Sequence, residues 1–295
     1  MATVTFIGLG AFGLPMALNL IAVGHHVTGY DLSRTQLSRL ESSGGQVALS
    51  SLEAVQNADF VFFCLPDHKS VVSELLSDES LLKAIRRDAL LVNFTPSSPE
   101  EARTLAAQVE TSGYTWLEAP IIGSSRDAKV RLLTVVAAGS LAAFSEARPL
   151  LQDMAERVIH VGKHGLANAA VLVNNLMTIV NMLGAAEGFA LAEKLGLPVE
   201  KVFEITALST ATSWALVEHC PQSGLVPSAP SNNMYQAGIT AKSALHALQD
   251  TVDMAERAGA RAPLSQAAQG LYREYCDTVD SNLDFSAIIQ ILRRR

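Results

Sequence analysis

The sequence predicts a doubly wound α/β domain over residues 1–162 followed by an all-helical domain over residues 163–295. Three observations carry this. Glycines 8, 10 and 13 fall in the spacing GxGxxG between a short apolar run, residues 4–7, and a helical one. From residue 1 to about 162, continuous apolar runs alternate with helix-like segments, as strands buried on both faces of a mainly parallel sheet would. Beyond residue 162 the strand signal largely stops and helical patterns take over.

Each glycine of the first loop has a separate physical task. Gly8 permits the tight turn, Gly10 lets backbone approach a pyrophosphate with no Cβ in the way, and Gly13 lets the helix pack close to its strand. The helix N-terminus, with unpaired N–H groups, then faces the phosphates, and Leu9, Ala11 and Phe12 complete the loop. Pro15 is tolerated in the first helical turn. Residues 26–30 form a second strand ending at Asp31, about 20 residues beyond the glycines, where a carboxylate reaches the ribose hydroxyls of a dinucleotide. That carboxylate repels the extra phosphate of NADP(H), so NAD(H) is favoured, with Arg34 working against the preference.

Further strands are expected at residues 59–65, 89–94, 115–118, 133–138 and 158–161, with helices at 51–57, 99–112 and 141–156 between them. Ligands of such sheets bind beyond the carboxyl ends of the strands, which singles out the loops after Leu65, Phe94 and Pro120. Residues 165–195 read as one long helix, with no charge between His164 and Glu187. Its length would span a bilayer. Asn168, Asn174, Asn175 and Asn181 make lipid a costly setting and favour a buried helix between two domains. Helices are expected at 199–213, 240–259, 263–278 and 286–292, and residues 220–233 read as a loop.

The 295 residues suffice for one large or two ordinary domains, and 49% hydrophobic with 17% charged residues describe a globular chain. A net charge of −7 argues against nucleic-acid binding, and the terminal Arg293, Arg294 and Arg295 read as a solvated tail. Three cysteines without CxxC spacing point to buried thiols in a reducing compartment, the cytoplasm, and not to zinc or disulfides. The seven histidines show no metal-ligand spacing, and His25 and His26 read as exposed turn residues.

Six stretches carry a family resemblance: FIGLGAFGLPMALNL, the CLP at Cys64, EAPIIG from Glu118, GKHGLANAAVLVNN from Gly162, PSNNMYQAG from Pro230, and LDFSAIIQIL from Leu283. Together they resemble the β-hydroxyacid dehydrogenases over nearly the whole chain, most of all those acting on 3-hydroxyisobutyrate. The resemblance implies a Rossmann domain, a long connecting helix, a helical domain, a homodimer or homotetramer, and hydride transfer between nicotinamide and a small 3-hydroxy acid. It also implies that Leu65, Pro66 and Thr95 line the nicotinamide side of the cofactor.

The reacting end departs from the family pattern. The family's proton-transfer lysine is matched by Val171, whereas the asparagine one turn later is kept as Asn175. The serine and two glycines that hold the substrate carboxylate are matched by Ile122, Gly123 and Ser124. The nicotinamide-contacting threonine is matched by Pro96, and a lysine–aspartate pair near the cofactor by His246 and Ala247. Valine cannot take or give a proton, and an amide orients without titrating. His246, with an ordinary pKa of about 6.5, is therefore the candidate proton carrier, with Lys242 one turn away and Tyr235 as a further donor. Two other readings stay open. An iminium substrate brings its own proton, and residues 92–103 resemble imine reductases of the same fold. A cofactor-binding protein without catalysis would also lose anchor and proton carrier together.

Overall fold

The computed structural model describes residues 1–76, 80–236 and 238–294. The chain divides into two compact units, Met1–Val171 and Leu172–Arg295.

Unit 1 begins with β1 (Thr3–Ile7), α1 (Gly13–Ala22), β2 (His26–Tyr30), α2 (Arg34–Ser42), β3 (Gln46–Val47) and α3 (Ser51–Ala54). It continues with β4 (Phe60–Phe63), α4 (His68–Leu76), α5 (Ser80–Ala84), β5 (Leu90–Asn93), α6 (Pro99–Thr111) and β6 (Thr115–Glu118). Then come β7 (Ile121–Ile122), α7 (Ser125–Lys129), β8 (Thr134–Gly139), α8 (Leu141–Met154) and β9 (Arg157–His160). The strand order is β3-β2-β1-β4-β5-β6-β8, with β7 and β9 both pairing to β8. β1 to β6 pair in parallel, and chain order reverses between β1 and β4, which puts the ligand crevice at the carboxyl ends of those two strands.

The strands sit where continuous apolar runs predict them, because both sheet faces are covered. Phe6, Phe62 and Phe94 stack edge to face at 5.2 and 5.3 Å on one side, and Phe63 packs near Trp116 on the other. One departure is β8, which runs antiparallel to β6. The link from β6 holds only a two-residue strand and a short helix, β7 and α7, too little for the helical crossover that a parallel neighbour needs. His25 also departs from an exposed turn residue. Its Nδ1 accepts from the Ala2 N–H at 3.1 Å, so its Nε2 carries the proton and donates to Asp153, also at 3.1 Å.

The long helix α9 (Leu166–Lys194) starts in unit 1, where Gly165 and Asn168 are bonded to the buried Glu118, and runs on into unit 2. It is long and apolar enough to cross a membrane by length and composition alone. The expectation of a buried helix holds only in part. Val173 is 47% exposed, Met177 61% and Leu191 58%.

Unit 2 adds α10 (Val199–Ala207), α11 (Trp214–Val217), α12 (Ala241–Arg257), α13 (Pro263–Thr278) and α14 (Ile289–Leu292), the last preceded by a 3-10 turn at Phe285–Ile288. α10 stops well short of residue 213. The hydroxyl-rich run Ser209, Thr210, Thr212 and Ser213 competes for backbone groups there, and Thr206 Oγ1 already donates back to the Val202 carbonyl at 2.7 Å. Arg293 and Arg294 do not form a free tail, and Arg295 lies outside the described residues. Arg293 grips both oxygens of Glu193, at 2.8 and 2.5 Å, and donates to Gln222, while Arg294 donates to Thr278 Oγ1 at 3.1 Å.

Candidate active site

In the glycine loop two of the three glycines are required by the protein itself. Gly8 has φ +98°, and a Cβ there would lie 2.3 Å from the Cys64 carbonyl oxygen. A Cβ on Gly13 would lie 2.1 Å from the Gly8 carbonyl oxygen, so α1 sits directly on the turn. Gly10 differs, because a Cβ there would meet nothing within 4 Å. The space over Gly10, beside the first-turn N–H groups of α1, is open to a ligand. Gly10 and Ala11 are exposed, whereas the Leu9 side chain is buried and Phe12 packs against the core, so Leu9 offers a ligand only backbone.

Asp31 is fixed beside this opening. Its Oδ2 accepts the Leu9 N–H and its Oδ1 the Ser33 N–H, both at 2.7 Å. Each carboxylate oxygen keeps a further lone pair for a hydroxyl donor. The residues present thus fit a dinucleotide: a Cβ-free approach, a helix N-terminus and an anchored acceptor for ribose.

The loops after β4 and β5 meet next to it. Leu65 lies against Gly8, Pro66 is exposed, and Thr95 is buried with its Oγ1 accepting the Leu65 N–H at 2.9 Å. The Thr95 N–H in turn donates to Asn93 Oδ1 at 3.1 Å, so Thr95 struts two loops together. Cys64, behind the glycine turn, is chemically quiet, because burial pushes its thiol up to about 12.

Beyond β6 the structure assigns the substrate-loop residues to local tasks. Ile122 ends β7, and Gly123 has φ +136° with its Cβ position 2.8 Å from Leu133 Cδ2. Ser124 caps α7, its Oγ accepting the Asp127 N–H at 3.2 Å and donating to Asp127 Oδ2 at 2.7 Å. Val171 and Ile122 pack on one small apolar cluster with Val136, Ala138 and Ala167. In unit 2, Asn175 is half-buried one turn after Val171, and His246 stands exposed on α12 with Lys242 a turn before it.

A polar group that motif spacing does not reveal lies at the end of β6. Glu118, 1% exposed, accepts the Gly165 N–H through Oε1 at 2.8 Å and Oε2 at 3.0 Å, and the Asn168 amide at 3.2 Å. His164 lies between two carboxylates, with Nδ1 3.2 Å from Glu118 and Nε2 3.0 Å from Glu110. Burial opposes its charge, but Glu118 and then Glu110 outweigh that and raise its pKa above the ordinary value. Its sequence traces are the EAPIIG and GKHGLANAAVLVNN stretches, whose spacing does not show that Glu118 meets Gly165 and Asn168.

Fold, glycine loop and anchored carboxylate define an NAD(P)-dependent oxidoreductase. Residues 3–162 match the model of the NAD-binding domain of 6-phosphogluconate dehydrogenase, and residues 165–292 match that of the NAD-binding region of NADP-dependent 3-hydroxyisobutyrate dehydrogenase. The 3-hydroxyisobutyrate dehydrogenase of Pseudomonas aeruginosa is 33% identical over 295 residues, covering 99% of each chain. A structure of the Mycobacterium tuberculosis 3-hydroxyisobutyrate dehydrogenase with L-serine superposes with TM-score 0.92 at 35% identity, covering 100% of both chains. The chain belongs to the β-hydroxyacid dehydrogenase family, with 3-hydroxyisobutyrate dehydrogenases as its full-length relatives. An imine reductase from Myxococcus stipitatus, with TM-score 0.65, 22% identity and 99% coverage of both chains, shares the fold alone.

Proposed function

We propose that this chain moves hydride between NAD(H), in preference to NADP(H), and a small hydroxy or carbonyl compound of the 3-hydroxy-acid class. The observation that carries the cofactor preference is Asp31, whose carboxylate is pinned by two backbone N–H groups and cannot swing away from a 2′-phosphate. Gly8, Leu9, Gly10, Ala11, Phe12 and Gly13 hold the pyrophosphate half, and Leu65, Pro66 and Thr95 border the nicotinamide half. When bound, the dinucleotide supplies or accepts the hydride. Asn175 orients the substrate, Gly123 and Ser124 border it, and His246 carries the proton that Val171 cannot.

Fluorescence quenching of NADH and NADPH, followed by turnover with 3-hydroxy acids, aldehydes and cyclic imines, tests this reading. Tighter NADH binding and 3-hydroxy-acid oxidation are expected. His246→Ala should then lower kcat about a hundredfold with cofactor affinity little changed, and a loss below tenfold would remove His246 from proton transfer. The second reading, imine reduction, draws on the shared apolar packing of Val171 and Ile122, which disfavours a small carboxylate and suits an iminium that already holds its proton. Reduction of cyclic imines but not their ketone analogues would replace the first reading with this one. Binding without any turnover would leave a cofactor-binding module.

A homodimer or homotetramer is part of the same proposal. Val173, Met177 and Leu191 repeat along α9 at helical spacing, with Gly184 and Gly188 between them open to a close neighbour. Met177→Arg should shift the protein to monomer in size-exclusion chromatography with light scattering, and an unshifted elution would exclude this stripe. The asparagines of α9 and the net negative charge support a cytoplasmic protein that binds neither membrane nor nucleic acid.

A further inference from the structure

Four separate segments at the carboxyl edge of the sheet are joined by one line of hydrogen bonds. The Leu65 N–H donates to Thr95 Oγ1 at 2.9 Å, linking the loops after β4 and β5. Two residues on, the Ser97 N–H donates to Asn168 Oδ1 at 3.0 Å. Asn168 Nδ2 donates to Glu118 Oε2 at 3.2 Å, and Glu118 also takes the Gly165 N–H. Asn168 and Glu118 are buried, at 3% and 1% exposure.

The two ends of the Asn168 amide are not interchangeable. Its oxygen faces an N–H and its nitrogen a carboxylate, so a flipped amide would lose both bonds. Gly165 leaves no slack at the helix entry either, because its φ is +86° and a Cβ would lie 2.7 Å from the Pro99 carbonyl oxygen. Asn168 stands three residues before Val171 and seven before Asn175, which puts all three on one stripe of α9. Rotating α9 by a fraction of a turn would break the Asn168 bonds.

We infer that Asn168 and Glu118 are positioning residues that set the rotation of the first turns of α9 against the loops bearing Leu65 and Thr95, and so fix how Val171 is presented to substrate. The catalytic part rests on the dehydrogenase reading above; the positioning part does not. The pair is selective for an amide opposite a carboxylate: Asp at 168 would set two anions face to face, whereas Asp at 168 with Gln at 118 restores one donor and one acceptor. The imidazole of His164, held by Glu118 and Glu110, and the Arg103 side chain beside Gly165, paired with Glu100, are further charged groups at this junction.

The test compares Asn168→Asp, Glu118→Gln and the double variant by amide hydrogen exchange at Ser97 and Gly165 and by steady-state kinetics. Asn168→Asp should speed exchange at both amides and lower kcat about tenfold or more, with KM for NADH within about twofold. The double variant should restore exchange protection and bring kcat to within about threefold of the parent. A double variant no better than Asn168→Asp, or an Asn168→Asp protein with parental exchange, would overturn the inference. Should Asn168→Asp fail to fold, the double variant against Glu118→Gln decides the same question. If the parent turns over no substrate class, the dehydrogenase reading falls and exchange alone decides the positioning role.

Discussion

Gly13→Ala is expected to cost about 3 kcal/mol of stability and to abolish measurable NADH binding, whereas Gly10→Ala should leave stability within about 0.5 kcal/mol and still weaken NADH binding tenfold or more. The contrast follows from what each new methyl group meets. At residue 13 it would sit 2.1 Å from the Gly8 carbonyl oxygen, forcing α1 off its turn, and overpacking against backbone has no flexible side chain to absorb it. At residue 10 it would meet nothing of the protein within 4 Å, and only a bound pyrophosphate would feel it. Urea unfolding followed by cofactor titration of both variants checks the pair. Equal stability losses, or unweakened binding by Gly10→Ala, would show that the opening over Gly10 is not where the phosphates lie.

Asp284→Ala carries the other large effect, a loss of about 3–5 kcal/mol confined to unit 2. The Asp284 side chain is fully buried and accepts the Ser286 N–H at 2.9 Å, the Ser286 hydroxyl at 2.6 Å, and His219 Nε2 at 2.9 Å. Gly238 is small because a Cβ there would lie 2.0 Å from Asp284 Oδ2. Removing the carboxylate strands the buried Ser286 donors and frees His219, whose ring stacks on Trp214 at 4.6 Å. The chain has two tryptophans, Trp116 in unit 1 and Trp214 in unit 2. Unfolding followed by Trp214 fluorescence in a Trp116→Phe background, with and without Asp284→Ala, isolates the effect. A midpoint unchanged by Asp284→Ala would mean that water or a rearranged loop satisfies the stranded groups.

Much of the fold was legible because local signals and tertiary burial agree. β6 lies at Thr115–Glu118 and α13 at Pro263–Thr278, as expected, since Gly113 and Pro120 bound the strand, and Pro263 opens the helix. The glycine loop and Asp31 were legible for the same reason, as their spacing is set by a single strand–turn–helix unit. What escaped the sequence depends on distant partners. The Arg293–Glu193 grip joins positions far apart in the chain, and the Glu118–Asn168 link spans β6 and α9, so neither leaves a periodic trace. The antiparallel β8 was hidden because apolar content reports burial and not strand direction. The catalytic end was legible mainly as absence: Val171 and Ile122, which stand at the family's lysine and serine positions, share one apolar cluster, and Ser124 caps α7.

The quiet thiol behind the glycine turn gives the molecule an internal clock. Cys64 is held protonated by burial in unit 1, and Cys220, pushed up to about 11, is held likewise in unit 2. Reaction needs the thiolate and the thiolate needs water, so labelling of buried Cys220 follows the opening of unit 2, whereas labelling of half-buried Cys64 follows local motion of the glycine turn. Labelling rates at the two positions, followed by mass spectrometry with and without NADH, convert these two motions into separate numbers. Closure of the turn over Cys64 by cofactor would slow the first clock and leave the second running.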